Sequence, residues 1–264
     1  MHITQLRNAT VVLEFESEGL PVRLLVDPML APRAALPSLK WLIGKRRRNP
    51  LVDLPERSNE VLASVTHALI THCQRGHFDH LDRAGKHFLR ERRIPVFCTP
   101  HDEPYLRARG LNAQPLSSVE RAPFFHGHIS AIPCVHGEGW VGRVMEHGVG
   151  YFIELPGEPT VYLAGDTLLT DAVRGCITGR RPDIAVVPAG GARFDVGGEI
   201  LMDGQDALEL ARLTEGHVLA NHLEALDHCP TTRKELRAAA QQAGLAHKLF
   251  VPADGERYHW PRAA

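Results

Sequence analysis

The sequence predicts an α/β fold. Three observations carry this. Short apolar runs recur along the chain and are bounded by Gly, Pro, Asn and Asp. Between several of them lie stretches with apolar residues at helical spacing. The 264 residues are 44% hydrophobic and 23% charged, which suits a soluble domain with ample core.

The elements follow in order. Val11 to Phe15 and Val22 to Val26 read as a hairpin around Gly19, Leu20 and Pro21. A stretch over about residues 28–60 carries Pro28, Pro32, Pro37, Pro50 and Pro55, with Trp41, Leu42 and Ile43 as its apolar centre. It reads as a long ordered loop, either a lid over a site or a plain surface excursion. Ala68 to Ile70 is a buried strand that ends at Thr71 and His72. A helix is expected from about Asp79 to Arg93, then a strand from Ile94 to Cys98. Asp102 to Arg109 is a short helix closed by Gly110. Strands are expected at Ile129 to Val135, Val149 to Leu155, Thr160 to Ala164, Ile184 to Val187, His217 to Ala220 and Lys248 to Val251. Helices are expected from Asp203 to Glu215 and from a Thr232–Glu235 capping box to near Gly244. With no repeat and no linker, one domain over 1–264 is the simplest account.

Composition excludes several classes. The formal net charge is -1, so no large basic face is implied and nucleic acid is not an expected partner. The local run KRRR from Lys45 to Arg48 reads as a solvated loop. No apolar run approaches the ~20 residues that cross a bilayer. The N-terminal stretch lacks the pattern of a signal peptide. Five scattered cysteines form no CxxC pair. A cytoplasmic protein with reduced thiols is expected.

Histidine stands out. There are 16, as many as Phe, Tyr and Trp together. Histidine is the commonest metal ligand. Four polar positions, His72, His136, Asp166 and His222, each directly follow an apolar run. A strand end holds a side chain at the rim of a sheet on a rigid support, and several such ends can converge on one site. Residues 71–82, THCQRGHFDHLD, add His77, Asp79 and His80. Imidazole suits zinc, iron and manganese, and a carboxylate can bridge two cations.

These motifs resemble those of the metallo-β-lactamase fold superfamily. Its pattern is T-H-x-H-x-D-H at a strand-to-helix turn, then a lone His, an Asp after a strand and a last His. Here the counterparts are THCQRGHFDHLD, VHG at 135–137, AGDT at 164–167 and NHLE at 221–224. LLVDP at 24–28 and YLAGDT at 162–167 also resemble the lactonase-like branch. The resemblance implies a four-layer αββα sandwich with a metal site at one edge of the sheets.

The spacing of the first motif departs from the family's, and three alignments are open. Anchoring on DHLD keeps His77, Asp79 and His80 but puts Arg75 in the first His position, and arginine cannot ligate a cation. Anchoring on TH puts Gln74 and Gly76 in ligand positions. The third alignment takes His72 and His77 as the two early histidines, with a turn three residues longer in which Gly76 supplies freedom. It keeps every ligand and is preferred. It implies one ion on His72, His77 and His136, a second on Asp79, His80 and His222, and Asp166 as the bridge.

The resemblance then implies a hydrolase in which a metal-bound hydroxide attacks a small ester, lactone or phosphodiester. Asp79 would orient it or carry a proton to the leaving group. Two divalent ions are expected, zinc first, with manganese or iron as alternatives. Glu224, His228 and Trp140 are candidate pocket residues, and the turn from Ala189 to Arg193 is a candidate anion contact. His126 and His128 read as structural or solvent-facing. A small-molecule substrate is expected, no membrane partner, and a homo-oligomer is left open. The alternative is a non-catalytic metal-binding or scaffold protein with a degenerate site. A di-iron oxidoreductase would want a flavin or rubredoxin-type module, which the sequence does not show.

Overall fold

The computed structural model describes residues 1–42, 46–74, 76–117, 120–145 and 148–261, with backbone alone at 140, 143 and 144. Ile43 of the long loop, Lys45 of the basic run, Arg75 of the first alignment and the Trp140 side chain lie outside this description.

Among the described residues, two seven-stranded sheets form the frame. The first holds β1 (His2–Arg7), β2 (Thr10–Ser17), β3 (Leu20–Val26), β4 (His67–Leu69), β5 (Pro95–Cys98) and β6 (Asn112–Pro115), with β14 (Arg257–His259) beside β1. The second holds β7 (Ala122–Phe124), β8 (Gly127–Pro133), β9 (Val149–Glu154), β10 (Val161–Leu163), β11 (Ile184–Pro188), β12 (His217–Asn221) and β13 (Leu249–Phe250). β3 to β6 run parallel, as do β10 to β13.

The period of two along each strand builds the layers. In β2, Val11, Leu13 and Phe15 face the space between the sheets, while Val12 faces outward. In β11, Ile184 and Val186 face the same inner space, while Ala185 and Val187 face outward. Helices cover both outer faces. α1 (Ser58–Ala63), α2 (Arg83–Glu91) and α3 (Glu103–Arg107) bring Leu62, Leu89 and Leu106 onto the first sheet. α4 (Asp171–Gly175), α5 (Gly204–Leu213) and α6 (Arg233–Gln242) bring Val173, Leu208 and Leu236 onto the second. Each fully buried Leu or Val of this kind contributes about 1.5–3 kcal/mol. The order is helices, sheet, sheet, helices: an αββα sandwich. Among the described residues no helix is long and apolar enough to cross a membrane.

Two expected boundaries move. The helix expected from Asp79 begins at Arg83, because Asp82 takes the cap and accepts from the Gly85 N–H. Asp79 and His80 are therefore left in the preceding turn. The first hairpin turns on Glu18 and Gly19, both at positive φ, rather than on Gly19 to Pro21.

The stretch at 28–60 is ordered by buried polar groups. The fully buried Arg7 guanidinium donates to the carbonyls of Met29, Ala31 and Val52. Further out, Asp227 accepts from Ser38 Oγ, the Leu39 N–H and Asn49 Nδ2. The stretch ends in α1, a short helix that its proline content concealed.

Candidate metal centre

Strand ends supply the site. β4 runs on through Ile70 and Thr71 to His72. The loop after β8 brings in His136, the turn after β10 brings in Asp166, and β12 leads directly to His222. His77, Asp79 and His80 come from the turn before α2. Gly76, at φ 94°, supplies the positive φ in that turn. His222 itself sits at φ 56°, a left-handed conformation that a non-glycine residue adopts only when its surroundings impose it.

The seven residues form two adjoining sets. His72, His77 and His136 make one; Asp79, His80, Asp166 and His222 make the other. Within each set the donor atoms lie within 4.8 Å of one another, and all seven residues are buried. His72 and His77 have ring centroids 4.5 Å apart. Asp166 Oδ2 is 3.0 Å from His80 Nε2, 3.4 Å from His222 Nε2 and 3.9 Å from His136 Nε2. It thus reaches both sets.

Hydrogen bonds fix which nitrogen faces inward. His80 Nδ1 donates to Asp27 Oδ2 at 2.9 Å, His136 Nδ1 to the Ile200 carbonyl at 2.6 Å and His77 Nδ1 to the Gln74 carbonyl at 2.9 Å. These partners can only accept, so the proton sits on Nδ1 and the Nε2 lone pair points into the site. The Thr71 hydroxyl donates to Asp27 Oδ2 and is itself 3.1 Å from His72 Nδ1, which extends the same polarity to His72. The outer nitrogen of His222 faces Cys229 Sγ at 3.4 Å. Such outer partners set ring orientation and basicity in metal sites.

The donors fit divalent cations. The Nε2 atoms of His72, His77 and His80 are buried and find no hydrogen-bond donor, an expensive state for three polar atoms in one place. His80 and His222 also direct Nε2 at the carboxylates of Asp79 and Asp166, with His222 Nε2 3.3 Å from Asp79 Oδ2. Lone pair against carboxylate repels unless a proton or a cation lies between. Burial holds His72 well below the ordinary histidine value, aided by His80 and His77, and burial brings His136 down to about 4. Burial opposes charge on His80 and His222 as well, but the carboxylates around them, Asp166 foremost, outweigh it and raise both. Asp79 and Asp166 are held low against burial by the same imidazoles. Burial raises the Cys229 thiol, and His228 and His222 outweigh it, bringing Cys229 down to about 7.

A cavity of about 510 Å³ opens over the site. His77, Asp79, His136 and Asp166 form its floor, and His228 stands in its wall. The rest is largely apolar: Leu39, Trp41, Leu42, Val141, Met145, Phe194, Val196 and Ile200. Two expectations fail. Glu224 is not in the cavity; it pairs with Arg233 at 2.9 Å. The Ala189 to Arg193 turn is not a free nest, because the N–H groups of Ala189, Gly191 and Arg193 donate to the carbonyls of Asn221, Met202 and His228. Gln74, the ligand of the second alignment, instead donates to the His101 carbonyl. Sequence reasoning quoted Asp27 as part of LLVDP without its role. It did not find Cys229, Met145, Phe194 or Ile200, which carry no local signal.

No family model matches the chain. A UPF0173 protein of Bacillus subtilis, YddR, is 30% identical over 98% of this chain and 99% of its own. The chain belongs to the UPF0173 family. A member from Xanthobacter autotrophicus, 32% identical over 75% of this chain and 74% of its own, is named a metal-dependent hydrolase. UPF0173 proteins of that kind, this chain included, are metal-dependent hydrolases. Among solved structures, an isothiocyanate hydrolase from Delia radicum gut bacteria matches with a TM-score of 0.84 and 31% identity, covering 99% of this chain and 100% of its own. A Bacillus subtilis metallo-β-lactamase fold protein, at 13% identity and a TM-score of 0.62, shares the fold alone.

Proposed function

We propose that this UPF0173 member hydrolyses a small neutral molecule at an electrophilic carbon, with two divalent ions held by the seven residues. Ester and lactone are the leading substrate classes. The similarity to an isothiocyanate hydrolase adds the isothiocyanate carbon as a third. The observation that carries the reading is a set of buried, inward-facing Nε2 lone pairs and two carboxylates at the floor of an apolar cavity. A phosphodiester fits less well, since no Lys or Arg lines the cavity among the described residues. A scaffold with a degenerate site fits less well too, since both donor sets are complete.

His72, His77 and His136 would hold one ion, Asp79, His80 and His222 the other, with Asp166 between. Zinc suits this imidazole–carboxylate mixture, and manganese or iron would also be taken. When bound, such ions make water acidic near neutrality and polarise the electrophile. The chain does the rest. Asp27, Thr71, Gln74 and Ile200 lock the ring orientations. The largely apolar wall favours an uncharged substrate. Asp79, which lines the cavity, would orient the attacking water, or take its proton and carry it to the leaving atom.

Elemental analysis tests this. The protein purified without added metal should carry about two equivalents. His77→Ala and Asp166→Ala should each lower that count and abolish cleavage of p-nitrophenyl acetate, γ-butyrolactone and phenyl isothiocyanate. About one equivalent in the wild type would instead support an asymmetric site with Arg75 in the first position. No metal after reconstitution with zinc, manganese or iron would leave the scaffold alternative.

A further inference from the structure

Trp41 and Leu42 are placed where burial by the chain itself cannot explain them. Trp41 is 74% and Leu42 81% exposed, and Val196, which lines the same cavity, is 59% exposed. Isolated exposed apolar residues are ordinary, but three large ones rimming one cavity form a patch of the kind that marks binding. Polar contacts hold residues 39–42: the Trp41 and Leu42 N–H groups both donate to Asp195 Oδ2, Lys40 Nζ is 3.7 Å from Asp195 Oδ1, and the Leu39 N–H donates to Asp227 Oδ1. Asp195 lies between Phe194 and Val196, so one carboxylate ties Trp41 and Leu42 to that stretch of the cavity lining and groups their apolar side chains with Phe194 and Val196. The same cavity reaches Asp79 and Asp166 at its floor. Its reactive end is thus polar and its mouth is greasy.

We propose that Trp41 and Leu42, positioned by Asp195, determine specificity by clasping a hydrophobic arm of the substrate while its electrophilic head meets the metal floor. The inference rests on the proposed reaction for its head group, and on the cavity alone for its arm. The substrate is a neutral molecule with a compact head and an apolar tail.

Two assays on the full chain test it. Metal-loaded enzyme is given p-nitrophenyl acetate, butyrate and hexanoate, and metal-free protein is titrated with butan-2-one and octan-2-one by tryptophan fluorescence. The wild type should gain roughly fourfold per added methylene, the value of burying one CH₂, through KM rather than kcat. Octan-2-one should bind more tightly than butan-2-one. Leu42→Ser, which keeps the Trp41 reporter, and Trp41→Ser should flatten the length dependence, and Trp41→Phe should restore it. A wild type that cleaves none of these esters, γ-butyrolactone or phenyl isothiocyanate, yet binds octan-2-one more tightly through Leu42, keeps the clasp and removes the proposed reaction. Length dependence that survives both serine substitutions, or is absent from the wild type, overturns the clasp.

Discussion

Asp27 shows how much one residue outside the donor sets can decide. Its carboxylate accepts from the Thr71 N–H, the Thr71 hydroxyl and His80 Nδ1. Through Thr71 the chain of bonds reaches His72. A single carboxylate therefore aims one imidazole of each set. Asp27→Ala should weaken metal binding by about 10–100-fold, the usual effect of losing such a partner, as read by competition with a chromogenic chelator. Unchanged affinity would mean that packing alone orients His80. Cys229 plays the matching part for His222, and Cys229→Ser, which keeps a polar atom there, should cost less affinity than Cys229→Ala in the same competition. At this scale the sequence was legible for the donors and silent on their partners. His72, His136, Asp166 and His222 follow apolar runs and announce themselves. Asp27 and Cys229 lie on segments remote in sequence from His80 or looped back onto His222, and only the fold brings them into contact.

The elements show a similar division. β2, β11 and β12 were visible because they are long, apolar and regular. β1 mixes Thr, Gln and Arg into its length, and β14 is three residues long and exists through pairing with β1 at the far end of the chain. The start of α2 was misplaced because Asp79 and Asp82 are equivalent cap candidates in sequence, and only the hydrogen bond to Gly85 separates them. Close approaches between elements were likewise hidden. A Cβ on Gly190 would stand 2.2 Å from the His222 carbonyl oxygen. Gly190→Ala must push back the loop that carries His222, so metal content should fall, with a destabilisation of about 1–3 kcal/mol in urea unfolding. The long loop makes a pH prediction. Burial raises Asp227, but bonds from Ser38, Asn49 and Leu39 outweigh it and hold its carboxyl below the ordinary value. A depressed carboxylate adds stability that is full above its unfolded value and is lost as pH falls through its folded one. Protection of the Leu39 amide, corrected for intrinsic exchange, should therefore decline only on acidification below the ordinary carboxylate range. Asp227→Asn should lower that protection at neutral pH and remove its pH dependence.

Across the whole molecule, the two sheets share the site. His72, His77, Asp79 and His80 hang from the first sheet, and His136, Asp166 and His222 from the second. Ion binding should therefore stabilise the packing of sheet on sheet. At free metal a thousandfold above its dissociation constant, one site adds about 4.1 kcal/mol. For a chain of this size each kcal/mol moves Tm by roughly 2–4 °C, so a chelator should lower Tm by several degrees or more, and His136→Ala should blunt that response in scanning calorimetry. Neither sheet holds a complete donor set, since each set takes members from both. A nascent chain that has made only its first half offers no finished ion trap, and neither does one whose halves have failed to meet. With ions held as proposed, metal loading would report completed assembly, and a wrongly closed or truncated copy would be left without the ion that makes it reactive.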